Sequence, residues 1–180
     1  MPIDTYRALI ERPEPRDEKI LRSDNGREYS VRDHTKFVDP SSLSLWMDDI
    51  ENTISNFGMN QSSKDSLFVY EAWYIVSQLT TYSPDLGEDP RWPLETLVEG
   101  GGDCEDFAIL LASMLKTSQH TKDWQIQMVY FDIDHPNSPE DVNHVSLFIK
   151  TDEFEAYFDR SLDPSKNERW EYVQGWYFDI

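Results

Sequence analysis

The stretch that most restricts this chain is Gly100-Gly101-Gly102-Asp103-Cys104-Glu105-Asp106. It holds three of the seven glycines and the only cysteine. Glycine tolerates positive φ and close backbone approach, so three in a row predict a tight loop. After it, Phe107, Leu110, Leu111, Met114 and Leu115 recur at helical spacing, which predicts a buried helix. Asp103 suits the N-cap, and Asp106 stands where a capping box puts its acid. Cys104 therefore falls in the first helical turn. There the free N–H groups and about half a positive charge favour thiolate over thiol and can receive an oxyanion. Asp103, Glu105 and Asp106 oppose this, because neighbouring anions raise a thiol pKa. A nucleophilic Cys104 thus needs a histidine partner. Without one it reads as a small core residue.

Charge narrows the partners. With 35 acidic against 16 basic residues and a net charge of -19, the chain lacks the basic patches that nucleic acid and anionic membranes require. One cysteine excludes an internal disulfide. No apolar run is long enough for a membrane span, and residues 1–10 lack the apolar region of a signal peptide, so a cytoplasmic location is expected. The 180 residues are 38% hydrophobic but 13% aromatic, enough for one domain with its own core.

Residues 1–40 read as a partly irregular arm and 41–180 as the domain. In the arm, 3–10 fits two helical turns, 11–19 is charged and broken by prolines, Asp24-Asn25-Gly26 marks a turn, and 28–31 fits a short strand. His34 is isolated and reads as a surface residue. In the domain, Leu43, Trp46, Met47, Ile50, Ile54 and Phe57 form one stripe of a helix closed by Gly58. A second helix over 63–79 carries a wide apolar face with Leu67, Tyr70, Trp73, Tyr74 and Val76. A proline-rich loop follows, then a helical turn at 95–98. Beyond the Cys104 helix the period changes: Trp124, Ile126, Met128 and Tyr130 alternate as in a strand. Residues 144–150 and 154–159 fit two more strands, and an aromatic tail (Trp170, Tyr172, Trp176, Tyr177, Phe178) is expected to pack on the body. Helices followed by closely connected strands predict an α+β domain with a mostly antiparallel sheet.

The hairpin carries a geometric argument. A two-residue turn at Thr151-Asp152 sets His144 opposite Asp159, and a turn at Asp152-Glu153 makes them diagonal neighbours. Both place the side chains on one face. A three-residue turn without a bulge separates them. On one face, the carboxylate can hold the imidazole by one nitrogen and leave the other for a thiol, which is how a nucleophile is activated.

Other chemistries fit less well. The glycines are not a phosphate loop, since no Lys-Ser/Thr follows. Residues 132–143 begin like a calcium loop, but the fifth position is Pro136, the sixth is Asn137 and the twelfth is Asn143. No Cys/His pair has metal-ligand spacing. No metal or cofactor is expected.

Trp92-Pro93-Leu94-Glu95-Thr96-Leu97, the Gly100 to Ala108 block, Asn143-His144-Val145 and Tyr157-Phe158-Asp159 resemble the transglutaminase-like superfamily, closest to its microbial cysteine peptidase branch. The resemblance covers roughly 75–164. It implies a papain-like α+β core with the nucleophile helix packed on the sheet, and a Cys-His-Asp triad. In it Cys104 is nucleophile, His144 general base and then acid, and Asp159 the orienting carboxylate. Leu162-Asp163-Pro164-Ser165 resembles a motif ending many members, so Asp163 is the alternative third member. The implied activity is thiol-dependent acyl transfer on amide bonds of a peptide or protein, a cysteine peptidase or amidase if water is the acceptor and a transglutaminase if an amine is. A non-catalytic peptide-binding module on the same fold is the competing class. The Cys104 N–H is one oxyanion donor, with Trp92 and Tyr82 candidates for the second. An activated Cys104 is expected to react with iodoacetamide well below pH 8.

Overall fold

The computed structural model describes residues 5, 18–23, 25–84, 89–162, 166 and 168–180. It begins with an antiparallel hairpin, β1 (Glu18–Arg22) and β2 (Glu28–Arg32). The expected turn at 24–26 and strand at 28–31 match β2 and its connection. The irregular stretch expected to run to residue 19 instead gives way to β1 at residue 18. Cross-strand pairing and burial of Leu21 and Val31 override its charged composition. Lys19 binds Asp33 at 2.6 Å and lies 4.2 Å from the centre of the Phe178 ring. The two helical turns expected over 3–10, residue 5 apart, and the prolines of 11–17 lie outside the described residues.

Two 3-10 turns, His34–Phe37 and Pro40–Leu43, lead into α1 (Ser44–Ser55). Each is capped by the aspartate before it, Asp33 and Asp39. Helix α1 is shorter than the stripe suggested. Leu43, Met47 and Ile54 are sealed in the core, but Phe57 lies beyond the last turn and is 46% exposed. Helix α2 (Gln61–Leu79) starts where the Asn60 side chain accepts the Ser63 N–H at 2.9 Å. Its buried face is Phe68, Val69, Ala72 and Val76, whereas Tyr70 and Tyr74 face outward at 49% and 55% exposure. The wide apolar face is therefore buried on one side only.

Then come β3 (Thr81–Tyr82), α3 (Pro93–Glu99), β4 (Gly101–Gly102) and α4 (Cys104–Thr117). Every residue from Asp106 to Leu115 in α4 is buried. This helix packs on α2, α3 and the sheet.

The sheet is β5 (Gln125–Phe131), β6 (His144–Lys150), β7 (Glu155–Phe158) and β8 (Trp176–Asp179), all antiparallel, in the order β7-β6-β5-β8. The alternation in β5 sends Ile126, Met128 and Tyr130 to the α4 side and Val129 and Phe131 to the other. That other side is covered by Val173, Trp170 and Tyr177. The aromatic tail thus packs on the body, and its end is the strand β8. Tyr172 is the exception, at 64% exposure. The fold is α+β, with the cysteine-bearing helix packed on an antiparallel sheet. Among the described residues no helix is long and apolar enough to cross a membrane.

Candidate active site

The glycines hold the cysteine loop to the ribbon behind it. Thr81 N–H donates to Gly100 O at 2.8 Å and Ser83 N–H to Gly102 O at 2.9 Å, pairing β3 with β4 in parallel. Gly101 has φ +156°, and a Cβ there would sit 2.0 Å from Thr81 O. A Cβ on Gly102 would lie 2.0 Å from Asp106 Oδ2 and 2.6 Å from Arg91 Nη1. Close packing therefore accounts for these glycines directly. The same pairing aligns Tyr82 with Gly102, two residues before Cys104.

The capping box does not form. Asp103 is at the N-cap by its backbone, but its side chain makes no capping hydrogen bond. Asp106 turns away and accepts the Arg91 N–H at 2.7 Å and its guanidinium at 2.5 Å. Burial pushes the Asp106 pKa up to about 6 despite the opposing pull of Arg91. Arg91 also binds Glu99 at 2.7 Å, tying α3 to the start of α4.

On the sheet, Lys150 pairs with Glu155, and Thr151 N–H donates to Phe154 O at 2.9 Å, so the turn is at Asp152-Glu153. That register, continued one residue past β7, sets Asp159 opposite Ser146 and diagonal to His144. His144 Nε2 is 2.8 Å from Asp159 Oδ2. The second oxygen accepts the Ser161 N–H at 2.8 Å and hydroxyl at 2.7 Å. The Trp73 indole donates to the Asp159 carbonyl at 2.8 Å. Burial pushes the Asp159 carboxyl up, but the His144 and Ser161 donors outweigh it and hold the pKa below its ordinary value. An ionised Asp159 makes Nε2 the protonated nitrogen of neutral His144 and leaves Nδ1 with its lone pair. Phe131 and Trp170 pack edge-on to the ring at 5.2 and 6.2 Å between centroids.

Cys104, His144 and Asp159 line one cavity of about 480 Å³, together with Tyr82, Phe107 and Arg160. The structure therefore gathers the three residues from strand β6, the residue just past the end of its neighbour β7, and a helix tip. The thiol itself points its proton at Glu105, with Sγ 3.3 Å from Oε2. Burial is the main force raising the Cys104 pKa, followed by Glu105; the Val145 N–H opposes them, and Asp103 adds to the rise. Burial first, and the anionic neighbours after it, thus favour the protonated thiol in this arrangement.

Asp163 lies outside the described residues. Of the two candidate oxyanion donors, Tyr82 lines the cavity and is 54% exposed. The Trp92 N–H is occupied by Glu95 Oε2 at 2.9 Å, and its indole packs on Phe37 at 5.3 Å between centroids. His34 is not a surface residue. It stacks on Tyr130 at 5.6 Å, and its N–H donates to the Tyr130 oxygen at 2.9 Å. In the candidate calcium loop, Asp132 accepts N–H groups from Asp134, His135, Glu140 and Asp141 at 2.9–3.2 Å. Burial favours the neutral form there, but these donors hold the carboxyl well below its usual range. Among the described residues no group of three or more His, Cys, Asp or Glu could hold a metal ion.

Ser161 and Trp73, which hold Asp159, and Arg91, which holds Asp106, escaped the sequence reading, whereas Glu105, read there as an anionic neighbour that raises the thiol pKa, accepts the thiol's hydrogen bond. Ser161, two residues after a candidate triad acid, is the one with a local signal, since Asp-x-Ser is a turn in which the carboxylate accepts the serine N–H.

No family model matches the sequence, and no curated protein matches it. Among solved structures, Legionella pneumophila LapG is similar over 73% of this chain and 83% of its own, with 16% identity and a TM-score of 0.46. Its calcium-bound form is similar over the same shares, with 16% identity and a TM-score of 0.44. A candidate cysteine protease from Cytophaga hutchinsonii is similar over 70% of this chain and 41% of its own, with 20% identity and a TM-score of 0.37.

Proposed function

We propose that the chain is a cysteine peptidase or amidase of the transglutaminase-like type, with Cys104, His144 and Asp159 as its triad. The observation that carries this is the His144 Nε2 to Asp159 Oδ2 bond of 2.8 Å on the wall of the cavity that also holds Cys104. A buried carboxylate, anchored by Ser161, that fixes one ring nitrogen beside a cavity shared with a thiol is the arrangement needed to move a proton off sulfur.

In the proposed reaction His144 Nδ1 takes the thiol proton, and Asp159 stabilises the imidazolium. The thiolate attacks the amide carbonyl, forming a C–S bond. The Cys104 N–H and the Tyr82 hydroxyl receive the oxyanion. His144 passes its proton to the leaving nitrogen as the C–N bond breaks. Water then gives a proton to His144 and attacks the thioester. The C–S bond breaks, the acid leaves, and the sulfur regains its proton.

The test is turnover of a mixed fluorogenic peptide library by the full chain, with an amine-acceptor assay alongside. Hydrolysis that disappears in both Cys104→Ala and His144→Ala supports the peptidase. Incorporation of the amine in place of hydrolysis supports the transglutaminase. Peptide binding without any turnover supports the binding module and overturns the reading.

A further inference from the structure

Arg160 has no part in the mechanism above, yet it lines the same cavity as Cys104, His144 and Asp159. Its position is fixed at both ends. Asp159-Arg160-Ser161-Leu162 is a turn, closed by the Leu162 N–H on the Asp159 carbonyl at 3.3 Å, and Ser161 binds the Asp159 carboxylate from within it. The guanidinium reaches across to the end of α2, where Nη1 donates to the Thr80 carbonyl at 2.5 Å and to its hydroxyl at 2.8 Å. Both acceptors are neutral. Arg91, by contrast, is paired with Asp106 and Glu99. Among the described residues Arg160 has no carboxylate partner, although the chain holds 35 acids. Asp159 beside it has its oxygens taken by His144 and Ser161, and Asp103, the other acid in the lining, makes no ion pair with it. Thr80 occupies one terminal nitrogen only. Nη2 and Nε remain as the planar fork that matches a carboxylate. Of the described residues lining this cavity, Arg160 alone carries a fixed positive charge.

We propose that Arg160 is the carboxylate-binding group of this cavity, so that the site acts on amides carrying a carboxylate close to the scissile bond. The proposal rests on the acyl-transfer reading. The carboxylate belongs to an aspartate or glutamate side chain or to a chain end, and the guanidinium meets the same two oxygens in each. A net charge of -19 repels an anionic substrate at long range, so Arg160 acts by contact rather than by steering. A fork of charge-assisted hydrogen bonds suits that task. Thr80 already orders the guanidinium, so little freedom is lost when the substrate arrives. The contact also sets register. Arg160 follows the proposed triad acid directly, so the turn that holds Asp159 also holds the group that seats the substrate. A neutral flank would cover the guanidinium and leave its free N–H groups without an acceptor, a cost that a carboxylate-bearing substrate avoids.

The experiment compares alkylation of Cys104 by iodoacetate and by iodoacetamide in the full chain at pH 8, so it does not depend on finding a substrate. The two reagents differ in charge. The ratio of the iodoacetate rate to the iodoacetamide rate should be about tenfold higher in wild type than in Arg160→Gln, the effect of one charge-assisted contact. Protection of wild-type Cys104 from iodoacetamide then separates the two sources of the carboxylate. Protection by N-acetyl-glutamate methylamide supports a side-chain carboxylate, and protection by N-acetyl-alanyl-alanine supports a chain end. Their neutral counterparts, N-acetyl-glutamine methylamide and N-acetyl-alanyl-alanine amide, should not protect. Equal rate ratios in wild type and Arg160→Gln, or no protection by either acid beyond its neutral counterpart, overturn the proposal. Protection is read on the unaltered chain, so a fold disturbed by the substitution does not remove the test. Where peptides are turned over, carboxylate-bearing peptides should exceed their amide counterparts in kcat/KM in wild type and not in Arg160→Gln. Turnover without that preference keeps the peptidase reading and loses the carboxylate site. Protection without any turnover loses the peptidase reading and keeps the site.

Discussion

His144 and Asp159 sit diagonally across the β6–β7 hairpin, and the 2.8 Å bond between them rests on a turn about 20 Å away along the strands. Asp159 is itself held at three points, by the hydroxyl and N–H of Ser161 and by the Trp73 indole at its carbonyl. A carboxylate so constrained fixes the ring rather than following it. Asp159→Asn keeps the size but removes the charge that stabilises the imidazolium. It should lower kcat by about 10²-fold or more with little change in KM. Single-turnover kinetics on the library peptide would check this, and a change confined to KM would count against an orienting role.

The cysteine loop should be intolerant at its second and third glycines for reasons of packing rather than chemistry. Gly102→Ala drives a methyl into the Arg91–Asp106 pair, where the contact would be 2.0 Å. Either the pair breaks, leaving a buried charge, or the start of α4 shifts. The expected loss is about 2 to 4 kcal/mol of unfolding free energy. Urea unfolding would measure it. Gly100→Ala should cost less, since its Cβ meets nothing within 4 Å and only the positive φ of 76° penalises it.

Repeating patterns made much of this architecture readable. The stripe of α4, the alternation of β5 and the turn chemistry of the β6–β7 connection each depend on a local period or pair, so they survive without knowledge of the fold. The parity that puts His144 and Asp159 on one face is of the same kind. What local periods do not encode is which neighbours arrive from afar. Tyr70 and Tyr74 read as core residues and point to solvent, because nothing in α2 says that only one of its sides is covered. Asp106 fits a capping box until Arg91, fifteen residues earlier, reaches it. β1 runs against its composition because β2 supplies its partner. The upward shift of Cys104 comes first from burial, which depends on what packs around the helix tip, and local periods do not carry that.

Tyr82 offers a cleaner test of oxyanion stabilisation than the backbone N–H does. Its hydroxyl is on a two-residue strand held against the cysteine loop, and burial first, then the anionic charge of a Cys104 thiolate, raises its pKa, so it keeps its proton. Tyr82→Phe removes that donor and leaves the ring. The expected result is a fall in kcat of roughly 10- to 10²-fold with an unchanged iodoacetamide rate, because the thiol proton is not involved. A parallel fall in alkylation would assign Tyr82 to positioning of the sulfur.

His34 should give the fold an acid-sensitive joint. Its ring stacks on Tyr130 beneath the sheet, and burial first, then the charge of Arg32, depress its pKa from 6.5 to about 4, with Asp103 and Asp33 opposing. A base whose folded pKa lies below its unfolded value binds fewer protons when folded. Its contribution is therefore complete above pH 6.5 and is lost as pH falls from there toward 4. The full difference corresponds to about 3 kcal/mol, an upper figure for a ring that retains some contact with solvent. Asp106 acts the other way: its pKa is raised to about 6, so its burial penalty is relieved over an overlapping range as pH falls. Total stability against pH would mix the two, whereas the difference between wild type and His34→Gln isolates the histidine. That difference should favour wild type at pH 7 and shrink steadily toward pH 4.5. A difference that stays constant across the range would show that His34 acts through packing alone.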